Sequence, residues 1–267
     1  MDHLNNIIGW DNPIRKVHLE YKGTKSNAWS VQIDQNNNEW NEVGIVSNNY
    51  LLIENKQVFD IANDIADNSG QDWETNKVYW DGRRFMYSMI AKDTTSEVSV
   101  GDDVALGMQF WNSYDGSTAL QFRLFLCRLV CLNGMMSHDV FKSLRFKHDQ
   151  SSEGYEEQIT EAIQIINGSQ DQVRYITNAL RKMDERELTF EELSMIRESY
   201  LNKLPTSLFG NIVDKLLTYR VQGKPNVYDL LNCSTNVLWH KKKSTKADFD
   251  HNAYVTDNLI KYINIER

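Results

Sequence analysis

The sequence predicts an α+β fold: an antiparallel or mixed β-sheet with one embedded helix, a β-β-β-α-like core, followed by a helical C-terminal part. Three observations predict it. Apolar and polar residues alternate through most of the first 132 positions, as in half-buried strands. The alternation yields once, between Gln57 and Asp67, to a spacing of three and four. After Asn133-Gly134 that helical spacing continues to the end of the chain. This order predicts a β-rich α+β core domain over residues 1–150 and a helical region, packed on it or extending it, over residues 151–267.

Each element has its own signal. Arg15 to Tyr21 alternates, with Val17, Leu19 and Tyr21 on one side. Trp29, Val31 and Ile33 alternate next, and Gln35-Asn36-Asn37-Asn38 makes a polar turn before Trp40, Val43 and Ile45. Asn48-Asn49 is a second turn, and Tyr50 to Ile53 reads as a short strand. Val58, Phe59, Ile61, Ala62 and Ile65 then fall at helical spacing, and Gly70 is placed to cap that helix. Strands resume at Trp73–Trp80, Arg84–Ala91 and Val104–Trp111. Asp81-Gly82 and Asp115-Gly116 are hairpin pairs, because their first residue tolerates the left-handed region and Gly prefers it. Thr118 to Leu132 is apolar on both parities, as in a central strand covered on both faces. Helices follow at Glu153–Ile166, Gln170–Met183, from Thr189 and at Leu208–Tyr219. A further helix runs to His240 with Pro225 just inside its start, and a last one spans Ala253–Ile263. Lys241 to Lys246 is a basic connector.

Composition bounds the function. The chain has 267 residues with 29 Lys+Arg and 37 Asp+Glu, a net charge of −8. That length supports a real core. Three Cys exclude a disulfide-stapled miniprotein, and 3 Pro with 7 Trp exclude a low-complexity chain. The acidity excludes a uniformly basic nucleic-acid coat but leaves room for a local basic surface. Met-Asp-His-Leu-Asn-Asn is not the start of a signal peptide. The longest apolar run, Ala119 to Leu132, is broken by Gln121, Arg123 and Arg128, so no membrane span is expected. Cys127, Cys131 and Cys233 sit among apolar neighbours, as reduced thiols do in a cytoplasmic protein.

Two resemblances refine this. Val43 to Tyr50, Asn55 to Ile65, Gly101-Asp102-Asp103-Val104, Asn112-Ser113-Tyr114-Asp115-Gly116-Ser117 and Arg128-Leu129-Val130-Cys131-Leu132-Asn133 resemble a family of phage and plasmid proteins that carry domain of unknown function 932. A weaker likeness continues over Asn226 to His240. Leu129 stands where that family usually has Val, and the helical stretch Glu153 to Asn202 reads as an insert. The resemblance implies a phage or mobile-element origin, hence a bacterial host cytoplasm. The order of strands, then Tyr50 to Glu54, the Val58–Ile65 helix, Trp73 and further hairpins is also similar to the β–β–β–α core of single-strand annealing proteins.

A locally basic segment fits that second likeness. Arg123 to His148 holds five Lys/Arg against Asp139 alone. With Arg83 and Arg84, the residues Arg123, Arg128, Lys142, Arg145 and Lys147 would line a groove for a phosphate backbone. Trp80, Trp111 and Tyr114 would be stacking platforms. The competing reading is that Arg123 and Arg128 pair with buried carboxylates while the others form a solvated face. Lys215 to Lys246 is a second basic stretch, partly explained by the preference of a helix C-terminus for cations. The motif Asn112, Asp115 and Ser117, together with Asn133, is either a ligand-contacting set or turn chemistry. No metal-ligand spacing, nucleotide loop or nucleophile elbow occurs, so no catalytic residue, metal or cofactor is expected. The expected function is single-stranded nucleic-acid binding, DNA above RNA, in recombination or strand annealing by a homo-oligomer. The alternative is a protein–protein module of a mobile element that binds or inhibits a host factor.

Overall fold

A computed structural model describes residues 7, 9–35, 39–146, 155–219, 224–240 and 246–265. The fold is α+β, with two antiparallel sheets and a helical C-terminal part. Strands β1 (Ile14–Tyr21), β2 (Thr24–Asp34) and β3 (Trp40–Ser47) form a three-stranded sheet in that order. Helix α1 (Asn55–Asn68) follows. Strands β4 (Trp73–Trp80), β5 (Arg84–Ser99), β6 (Asp102–Ser113), β7 (Gln121–Arg128) and β8 (Asn133–Met136) are neighbours in sequence order in the second sheet, and β9 (Ser143–Arg145) pairs with β7. The helices are α2 (Glu156–Asn167), α3 (Gln170–Glu185), α4 (Phe190–Ser199), α5 (Thr206–Tyr219), α6 (Val227–Trp239) and α7 (Lys246–Ile265).

The chain forms two compact units, each discontinuous in sequence. One holds residues 1–90, 108–123 and 143–167; the other holds 91–107, 124–142 and 168–267. The boundary expected near residue 150 falls on residues 147–154, outside the described residues.

In the first unit, Val31, Ile33, Val43, Val46 and Tyr114 form a core against which Ile14, Trp29, Tyr50, Leu52 and Trp80 pack. The face of β1 that turns inward carries Ile14, Lys16 and His18, whose register partners are Ile33, Val31 and Trp29. This corrects the alternation reading, in which Val17 and Leu19 marked the inner side. The reason is hydrogen bonding. Lys16 Nζ donates to the carbonyls of Asn48 at 2.7 Å and Tyr50 at 2.9 Å, so a charged side chain occupies an inner position with its ammonium satisfied. His18 lies against Trp29 at 3.6 Å between ring centroids. Tyr50 to Ile53 is not a strand; the segment is fastened by Tyr50, whose hydroxyl donates to Ser113 O at 2.7 Å. Helix α1 buries Val58, Ile61, Ala62 and Ile65, as its periodicity requires, and Gly70 closes it with φ +73°. Trp10 stacks on Phe85 at 5.6 Å and meets Phe59 edge-on at 5.8 Å.

In the second unit, α6 is buried on nearly every side and packs against α3, α5, α7 and β8. Its start is Asn226, which accepts from Asp229 N while Asp229 accepts from Asn226 N. Pro225 therefore precedes the cap rather than opening the helix. Helical grammar does not begin at Asn133-Gly134. Those residues start β8, whose residues 133–136 pair with 125–128 of β7. Asn252 on α7 takes the place of a further strand there: its Oδ1 accepts from Met136 N and its Nδ2 donates to Gly134 O, both at 2.9 Å. Helix α7 begins at Lys246, earlier than its apolar period suggests, and the connector 241–245 lies outside the described residues.

Two glycines in this unit test the packing in opposite directions. A Cβ on Gly134 would meet the Trp239 ring at 2.4 Å, whereas one on Gly210 within α5 would meet nothing within 4 Å. Gly134→Ala should destabilise by about 1–3 kcal/mol through overpacking. Gly210→Ala should stabilise by about 0.5–1 kcal/mol by removing backbone freedom from the unfolded chain. Urea unfolding of both variants reads the difference; equal midpoints would refute the packing described here.

Candidate functional site

The Asn112–Ser117 motif is buried joinery with one exposed end. Asn112 Nδ2 donates to Ile53 O at 2.9 Å, just ahead of α1. The Tyr114 hydroxyl accepts the N–H of Asn55, the first residue of that helix, at 2.9 Å. Ser113 exchanges hydrogen bonds with Thr118 through its hydroxyl. Asp115 accepts from Ser117 N at 2.9 Å, and Arg84 reaches Ser117 Oγ at 3.2 Å and Asp115 at 3.7 Å. Burial pushes the Asp115 carboxyl upward, but Ser117, the Ser113 hydroxyl and Arg84 together hold it below its ordinary value. Gly44 explains itself here: a Cβ would lie 2.5 Å from the Asp115 Cα. Asn112 and Tyr114 are buried; Asp115 and Ser117 are within reach of solvent.

The aromatic platforms expected from sequence are structural. Trp111 is buried and its Nε1 donates to Gln109 Oε1 at 2.9 Å. Tyr114 is buried, its phenol pushed far up by desolvation, and Trp80 packs edge-on against it at 5.5 Å.

The expected cations divide between the two compact units. Arg83, Arg84, Arg123 and Arg145 belong to the first, Arg128 and Lys142 to the second, and Lys147 lies outside the described residues. Arg83 and Arg145 are exposed. On the β7–β9 ladder Gln121 faces Arg145 and Arg123 faces Ser143, so both arginines share one face. Arg123 Nη2 donates to Gln121 Oε1 at 2.9 Å. Of the second basic stretch, Lys224 is paired with Glu187 at 2.6 Å, while Arg220 and Lys241 to Lys243 lie outside the described residues.

Arg128 is committed inside the second unit. Its Nε and Nη2 each donate to a different Asp102 oxygen at 2.7 Å, a two-pronged pair with side-chain exposures of 12% and 10%. The guanidinium also lies over the Tyr228 ring, 5.4 Å from its centroid. Asn133 is equally enclosed. Its Nδ2 donates to Asn232 O at 3.3 Å, and its Oδ1 accepts from Asn236 at 3.2 Å and His240 at 2.8 Å. His240 Nε2 also faces Cys131 O at 3.1 Å. Both partners are acceptors, so Nε2 carries the proton. Thus Asp102, Arg128, Cys131, Asn133 and the Asn232–His240 segment, separate in sequence, meet in one polar cluster. Leu132, with φ +52°, is the turn that lets Asn133 point inward.

Sequence reading missed one surface. The outward face of the three-stranded sheet carries Arg15, Gln32 and Glu42 in one cross-strand row and Val17, Ser30 and Ile45 in the next. Arg15 lies 4.0 Å over the Trp40 ring and donates to Gln32 Oε1 at 2.9 Å. Ile45 is 56% exposed and Val17 also reaches solvent, while Ser30 between them is buried. A count of charges could not have found it: Arg15 to Lys25 holds four Lys/Arg, of which the register puts Arg15 on this face and Lys16 on the inner one.

Among the described residues no three His, Cys, Asp or Glu side chains are grouped to hold a metal, and no helix is long and apolar enough to cross a membrane. Burial pushes the Cys127 and Cys233 thiols up to about 12. Compared with known proteins, residues 42–259 match the family described as Domain of unknown function (DUF932). No curated protein and no solved structure matches the chain.

The Arg128–Asp102 pair is the sharpest test of the polar cluster. Asp102→Asn leaves an enclosed guanidinium without its counter-charge and should destabilise by about 3 kcal/mol. The double variant Asp102→Leu, Arg128→Met should recover most of that loss in chemical denaturation. A double variant no more stable than Asp102→Asn would show that the pair itself, rather than the orphaned charge, is what matters.

Proposed function

We propose that this chain, which belongs to the domain of unknown function 932 family, is a single-stranded nucleic-acid-binding protein that holds its ligand on the outward face of the β1–β3 sheet. The observation that carries the reading is the Arg15 guanidinium stacked 4.0 Å over Trp40 on that outward face. Single strands are bound sequence-tolerantly by such a combination, because every base offers a π face and every nucleotide a phosphate. Arg15 would take a phosphate, Trp40 a base, and Gln32 a sugar or base edge. Arg145, sharing a face with Arg123, is a further exposed cation of the same compact unit. Arg15, Gln32 and Trp40 lie ahead of the stretch matched to the family, which begins at residue 42.

The finer reading is a phage- or plasmid-encoded factor that anneals strands in a bacterial cytoplasm. The order β1–β2–β3–α1 supports it, being the order in which single-strand annealing proteins build their core. Annealing requires bases left accessible while phosphates are held, which a shallow sheet face provides and a deep slot does not. β1 and β3 are the edges of their sheet. Edge strands offer backbone groups to a further strand, which supports side-by-side assembly of copies into a longer face.

Fluorescence anisotropy with a labelled thirty-nucleotide oligo-dT, repeated across salt concentrations, tests the reading. Binding should weaken steeply with salt, and Arg15→Glu should lower affinity while reducing the log–log slope by about 1. Trp40→Ala should cost about 1–3 kcal/mol of binding. Absence of binding at low salt, or full affinity in both folded variants, would overturn it.

A further inference from the structure

We propose that the groove between α4 and α5 docks a cationic amphipathic helix of a protein partner. The groove has a volume of about 300 Å³ and an apolar lining that includes Leu188, Leu193, Val213 and Leu216. Two of its lining residues stand largely in solvent: Phe190 is 79% exposed and Leu217 is 76% exposed. Large apolar side chains that flank a groove at such exposure mark a contact surface, because their burial is favourable and the fold leaves it untaken. Phe190 is the first residue of α4, set there by the Thr189–Glu192 capping box. Leu217 sits in the last turn of α5. Two anchors bordering a groove between helices match the i, i+4 and i+7 side chains of a helix laid into it.

The rim selects the partner. Asp184 to Glu198 contains six Asp/Glu and two Arg. Both arginines are engaged: Arg186 pairs with Glu192 at 2.6 Å, and Arg197 donates to the carbonyls of Leu201 and Leu204. Lys224 is matched by Glu187. Glu185, Glu191 and Asp214 are exposed on the same two helices or just ahead of them. The surplus around the groove is therefore negative. A second copy of this chain would bring the same acidic rim against itself, and a nucleic acid or an anionic membrane would be repelled. Lys and Arg flanking apolar anchors would be attracted, and the attraction would weaken with salt.

A fluorescent fourteen-residue helix of Leu and Lys, compared with the same helix carrying Glu for Lys, tests this on the full-length chain. The Lys peptide should bind, and the Glu peptide should bind at least tenfold more weakly. Phe190→Ser with Leu217→Ser should weaken the Lys peptide at least tenfold. Glu191→Lys with Asp214→Lys, which changes only exposed rim positions, should do the same and keeps the test open if the first variant fails to fold. Equal binding of both peptides would remove the charge selection. Binding unchanged in the folded variants would place the Lys peptide elsewhere on an acidic surface. An oligomer that becomes monomeric in Leu217→Ser would make a second copy the occupant. Each of these three results overturns the proposal.

Discussion

The first compact unit hangs on the Tyr114 hydroxyl accepting the Asn55 N–H. A helix start has N–H groups with no partner of its own, and a buried start must find them elsewhere. Here α1 takes one from the end of β6, and Asn112, two residues earlier on the same strand, takes the Ile53 carbonyl. Tyr50 returns the tie by donating to Ser113 O. One short segment thus fastens both the helix and the connector that brings the chain to it from β3. The third consequence is steric: Asp115 presses on Gly44, and only a residue without Cβ fits beneath it. Burial keeps the Tyr114 phenol neutral, so the joint does not loosen by ionising. The Asn112–Ser117 stretch, which by sequence is either a ligand-contacting set or turn chemistry, is built into the structure here apart from its Asp115–Ser117 end.

The second unit solves a different problem with amides. β8 is a short edge strand, and α7 supplies Asn252 to both its N–H and its C=O. Asn226 caps α6, and Asn133 ties the β7–β8 turn to Asn232, Asn236 and His240. An amide donates and accepts through separate atoms, so a single side chain can close two backbone positions. The same economy leaves a residue. Neither atom of the buried Asn232 side chain has a hydrogen bond of ordinary geometry, although the Tyr228 hydroxyl lies near it. A buried polar network with an unmet member is where such a unit yields first.

Much of this was legible and some was not, for reasons that differ by residue. The apolar period of α1, the caps at Thr189 and Gly70, and the strands from Trp73 to Trp111 follow from local pattern, and local pattern decides them. β1 misled because hydropathy counts Lys16 as polar. Its ammonium is satisfied by carbonyls at residues 48 and 50, which no window around residue 16 contains. β8 was hidden by Asn133-Gly134, which reads as a turn, and by two methionines, which favour neither strand nor helix strongly. Arg128 posed a choice between phosphate and carboxylate that its neighbours could not resolve, since Asp102 lies 26 residues away. The outward row of β1–β3 is not marked by any run of charge, since its members come from three strands and Lys16 beside Arg15 faces inward. Exposure, which depends on the sheet's inner face, decides which cations meet solvent.

A net charge of −8 therefore describes neither of the two surfaces that matter most. Within a Debye length of about 8–10 Å at ordinary salt, a ligand senses the charges beside it and little of the total. Around Arg15 and Trp40 a guanidinium lies over a π surface, with Glu42 in the same cross-strand row. Around Phe190 and Leu217 the charges are negative and lie beside an apolar groove. An acidic rim disfavours phosphate and favours cations. The overall acidity acts as background, opposing loose attachment of polyanions.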